Sequence, residues 1–109
     1  MARKTDSDQV HELLLQALET ERGGIQIYTE AVAAAVNDDL RKEWREYLEQ
    51  TRTHEQVLTG VFEALGMDTE EQSPGRKIVA RLGESLVSAI RMARKDADPA
   101  AAEIVAASL

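Results

Sequence analysis

The most constraining feature of this chain is a line of apolar residues at alternating three- and four-residue spacing, repeated over long stretches and broken by short polar turns. The first stretch begins near Ser7-Asp8, either of which can cap a helix, and carries Val10, Leu14, Ala17, Leu18, Ile25, Tyr28, Val32 and Val36. Asn37-Asp38-Asp39 turns the chain into a second stretch with Leu40, Trp44, Tyr47, Leu58, Val61 and Leu65, and Gly66 is a natural terminator. Polar residues from Met67 to Pro74 read as a loop. A third stretch then presents Ile78, Val79, Leu82, Leu86, Ala89, Ile90 and Ala93. Asp98 can cap a fourth helix and Pro99 suits its first position. The spacing predicts helices over about 8–36, 39–65, 75–95 and 99–109, in one domain covering 1–109. Connections this short join antiparallel neighbours. The expectation is an all-α, up-down four-helix bundle whose fourth helix is short or truncated.

Composition supports helix over strand. Aromatic residues are few (Trp44, Tyr28, Tyr47 and Phe62), while Ala, Leu, Glu and Arg are plentiful. A net charge of −7 argues against nucleic acid or an anionic membrane surface as partner. No apolar run approaches the roughly 18 residues of a spanning helix. The basic N-terminus lacks the apolar run of a signal peptide, which makes the cytoplasm the expected location. With no cysteine there is neither a disulfide nor a thiolate ligand. Phosphate-binding, dinucleotide-binding and nucleophile motifs are missing, so whether the chain is an enzyme stays open.

Chemistry is to be sought where polar residues interrupt the apolar lines. Glu21 does so on the first helix, Thr51 and His54 on the second. In an antiparallel pair, residues equidistant from the turn share a height. Glu21 and His54 are equidistant from Asn37-Asp38, as are Tyr28 and Tyr47. A carboxylate and an imidazole facing each other at mid-bundle must be paired or ligated, because burying either alone costs several kcal/mol. Two readings follow: a buried Glu21–His54 hydrogen bond that sets helix register, or two ligands of an iron or manganese ion. Glu84, the carboxylate of the third helix nearest that height, points away from its apolar face and is a weak candidate.

The spacing E-x6-Y of Glu21 and Tyr28, with a histidine on the next helix, resembles the first half of the ferritin and rubrerythrin superfamily. The stretch ALETERGGIQIYTEAV also resembles a group of bacterial ferritin-like proteins of undefined activity. The resemblance covers roughly residues 8–95. It implies a terminal carboxylate ligand at Glu21, a neighbouring tyrosine at Tyr28 and a histidine ligand at His54, with iron oxidation, iron storage or peroxide handling as the chemistry. Thr51 stands where that family has the bridging glutamate of its E-x-x-H pair, and threonine cannot bridge two irons. Thr51 and Tyr47 would then flank the site without ligating. The rival expectation is a metal-free helical interaction or structural module with a degenerate site and an apolar groove that binds a partner. A fourth helix this short leaves apolar surface uncovered, so either a longer chain or a homo-oligomer, at least a dimer, is expected to complete the bundle.

Overall fold

The computed structural model describes residues 6–109, and the described residues form four helices with no strand. These are α1 (Asp6–Ala34), α2 (Asp38–Leu65), α3 (Pro74–Asp96) and α4 (Pro99–Ser108). The boundaries follow capping chemistry. Asn37 accepts a hydrogen bond from the Leu40 amide at 3.0 Å, and Asp98 accepts one from Ala101 at 2.9 Å. Gly66 ends α2 in the left-handed conformation, at φ 68°. Helix α3 starts at Pro74, one residue ahead of the start expected at 75. Ser73 is the cap, its hydroxyl accepting from the Arg76 amide at 3.0 Å, and Pro74 takes the first position.

Helix α1 is the hub. It packs against α2, α3 and α4, and α4 also packs on α3. Gly24 meets Thr51 and Tyr28 meets Tyr47, so α1 and α2 run in opposite senses. Along α3 the partner numbers rise together: Glu12 with Ser73, Gly23 with Gly83, Glu30 with Arg91. No Cα of α2 comes within 8 Å of one in α3. The two flank α1 without meeting, and the molecule is a slab of 54 × 27 × 18 Å.

Two apolar clusters hold the slab together. At one end Leu15, Leu18 and Phe62 pack with Leu14, Leu58 and Met67. At the other, Ala31, Ala34, Ala35, Trp44 and Ile90 receive Ala102 and Ala106 of α4. The buried seam of α2 runs through Trp44, Leu48, Thr51, Leu58 and Phe62, one residue aside from the line expected through Tyr47, His54, Val61 and Leu65. Both lines share Trp44, Thr51 and Leu58, and period alone does not separate them. Phe62, fully buried, decides for the seam that was passed over. The apolar face of α3 is split as well: Val87 and Ile90 are buried, while Ile78 and Leu82 are exposed.

Between α2 and α3 the chain is tied down by a buried arginine. Arg76 is 1% exposed. Its Nε donates to Glu19 Oε1 at 2.9 Å, and its Nη1 donates to the carbonyls of Thr69 and Glu71 at 2.7 and 2.9 Å. Ser73 adds a hydrogen bond to Glu12 Oε1 at 2.9 Å. At the opposite end Glu103 of α4 accepts from the Val36 and Asn37 amides at 2.5 and 2.7 Å. Those two amides hold its carboxyl below the ordinary value of 4.5. Glu103 therefore fastens α4 to the α1–α2 turn. On the α1–α3 flank, burial pushes the Glu30 carboxyl up, but hydrogen bonds from Arg91 and Arg94 outweigh it and hold the group below its ordinary range.

Removing Arg76 leaves Glu19 unpaired and strands two carbonyls. Arg76→Met is expected to lower unfolding free energy by about 2–4 kcal/mol. Arg91→Ala, at a side chain 64% exposed, should cost less than about 1 kcal/mol. Urea denaturation of the two variants checks the contrast; equal losses would mean that the buried network is not what holds the loop.

Candidate functional site: a groove over the centre of α1

Because α2 and α3 do not meet, an open groove of about 600 Å³ lies between them with α1 as its floor. On α1 it runs from Glu19 to Ala31. Ile27, Trp44, Leu86, Ala106 and Leu109 line its α4 end, and Glu21, Gln50 and His54 stand toward the other. Most of this surface is apolar, with its polar groups gathered at the second end.

Two glycines lie at the middle of the floor. A β-carbon at Gly23 would lie 4.0 Å from the Gly83 Cα, and one at Gly83 would lie 3.7 Å from the Gly23 Cα, so α1 and α3 touch backbone to backbone. Gly24 faces the opposite way, where a β-carbon would come within 3.1 Å of Thr51 Cγ2. Consecutive glycines thus serve two different helix contacts. Each costs roughly 1 kcal/mol in helix propensity against alanine. That cost is the sequence signal at Gly23-Gly24; a single Gly83 carries no comparable one.

The expected pair does come together, but loosely. Glu21 Oε2 lies 3.6 Å from His54 Nδ1, beyond hydrogen-bond reach. The Glu21 side chain is 26% exposed and that of His54 is 61% exposed. The buried mid-core pair foreseen from equal distance to the turn is therefore a groove-wall pair. The shift of the α2 seam explains it: Thr51 points inward and His54 sits on the rim. Thr51 is buried, and its hydroxyl donates to the Tyr47 carbonyl at 2.8 Å within its own helix. Tyr28 and Tyr47 form the neighbouring layer, ring centroids 5.8 Å apart and tilted by 56°. Tyr47 donates to Glu43 at 2.5 Å, and that hydrogen bond raises its hydroxyl above the ordinary tyrosine value. Glu84 is exposed and lies outside the groove, although its neighbour Gly83 lines it.

As a metal centre this donor set is incomplete. Glu21 and His54 are two donors, and no group of three or more His, Cys, Asp or Glu able to hold a metal occurs among the described residues. Bundle-core metal sites draw several carboxylates and histidines from facing helices. The Thr51 hydroxyl, engaged with Tyr47, is no substitute for a bridging carboxylate. Among the described residues, Glu21, His54 and Thr51 do not fit the donor set of a di-iron site.

Compared with family models, curated proteins and solved structures, the chain matches none. Among the described residues, no helix is long and apolar enough to cross a membrane.

A loose, exposed pair contributes little to folding. His54→Ala is expected to change unfolding free energy by less than about 0.5 kcal/mol. Thermal and urea unfolding read the change, and a loss above about 1 kcal/mol would restore the register-setting role.

Proposed function

We propose that this chain is a ferritin-like helical module whose groove accepts a helix from a partner polypeptide. The observation that carries the reading is that α2 and α3 flank α1 without meeting, which leaves an apolar trough at the centre of the slab. Its length along α1, Glu19 to Ala31, corresponds to about 18 Å, or three turns of helix. Helix α4 supplies a precedent within the fold. It lies against α1 and α3 through Ala102 and Ala106, meeting Ala31, Ala34 and Ala35. Past Ala31 the floor runs through Tyr28 and Ile27 to Gly24 and Gly23, so a further helix meets both aromatic or aliphatic side chains and bare backbone. Apolar side chains at the rim, Leu82 and Leu109 among them, are more than half exposed and would be covered.

Trp44 lines the groove and is the only tryptophan, which makes its emission a direct reporter. A synthetic amphipathic Ala/Leu helix is expected to shift that emission saturably. Leu82→Glu, at a position 61% exposed and therefore harmless to folding, should weaken binding about tenfold or more. An unchanged affinity in Leu82→Glu would remove the groove from the account.

A second reading rests on the 3.6 Å between Glu21 Oε2 and His54 Nδ1, a separation that two donors to one iron or manganese ion can span. The remaining ligands would come from a second copy of the chain, the homo-oligomer that an open bundle invites. It predicts metal taken up from a ferrous or manganous solution, lost in Glu21→Ala, and accompanied by association of chains in sedimentation. Metal uptake unaffected by Glu21→Ala would end this reading.

A further inference from the structure

We infer that the helix received by the groove presents a lysine or arginine to Glu21; this rests on the helix-accepting reading and names the chemistry of its partner. The other half-buried glutamates among the described residues already have donors. Glu12 accepts from Gln16 and Ser73, Glu19 from Arg76, Glu30 from Arg91 and Arg94, Glu103 from two backbone amides, and Glu55 from Thr59. Glu21 is the exception. Its side chain is 26% exposed, it lines the groove, and its one close polar neighbour is His54 Nδ1 at 3.6 Å, beyond hydrogen-bond reach.

An apolar helix laid over this wall would remove water from the Glu21 carboxyl group and return nothing. A stranded charge of that kind opposes binding strongly. An occupant that supplies a cation instead converts the wall into a charge-assisted hydrogen bond. The protein's net charge of −7 favours a basic arrival over an acidic one. Glu19, the other carboxylate lining the groove, is already held by Arg76, so the cation is directed to Glu21. The Tyr28–Tyr47 layer also lines the groove, and the aliphatic stem of a lysine or arginine can lie along it. The partner is therefore an amphipathic helix whose face is small and aliphatic toward the α4 end and carries one basic residue toward the Glu21 end.

Two synthetic helices of about 14 residues, identical Ala/Leu peptides except for a central Lys or Gln, test this through Trp44 emission. The Lys peptide should bind about tenfold more tightly than the Gln peptide. Glu21→Gln should erase that gap, and added salt should narrow it. Equal binding of both peptides to the native protein would overturn the cation while leaving helix acceptance intact. A gap that survives in Glu21→Gln would likewise overturn it, by assigning the charge to another residue. If neither peptide binds, both the helix-accepting reading and its cation fall; sedimentation of the same sample then shows whether a second copy of the chain fills the groove instead.

Discussion

The backbone contact of α1 with α3 at Gly23 and Gly83 is the constraint from which the rest of the architecture follows. Helices with ordinary side chains at their contact keep their axes about 8–10 Å apart. Two facing glycines allow an approach at the lower limit. The α1–α3 pair is then fastened along its length by Arg76 with Glu19 at one end and by Arg91 and Arg94 with Glu30 at the other. Helix α2 packs on α1 alone. The open groove lies over the glycine contact, and α4 covers only one end of it.

The core reflects the same division. Leucines and Phe62 fill one end, alanines with Trp44 and Ile90 the other, and outside both clusters lie the glycine contacts with buried Leu48, Thr51 and Val87. Apolar burial at the two ends supplies the driving force for folding. The middle is free to carry features that a packed core would not tolerate, among them Glu21, which has no hydrogen-bonding partner among the described residues.

Much of the helical layout could be read in advance because capping and period are local properties. Asn37, Gly66, Asp98 and Pro99 stand where the chain turns, and their chemistry is indifferent to distant contacts. Tertiary choices were less legible. On α2, lines through Tyr47 and His54 or through Leu48 and Phe62 share Trp44, Thr51 and Leu58, and only packing against α1 selects the second. This one-residue rotation moves His54 from core to rim, which is why equal distance from the turn found the right neighbour for Glu21 but the wrong burial. Arg76 was invisible for a different reason: a lone arginine after a Ser-Pro-Gly cap has no periodic signature. Its burial depends on loop carbonyls and on Glu19, far away in the chain.

The central claim is that α2 and α3 stand apart across α1. The chain has no cysteine, so spin labels can be placed cleanly at Gln50→Cys on α2 and Ser85→Cys on α3. Pulsed dipolar spectroscopy of this pair then measures the gap. A single distribution wider than the 8–10 Å of neighbouring helices, narrowing little when unlabelled protein is added in excess, is the predicted result. A population at direct helix contact within one chain would close the groove and contradict the account.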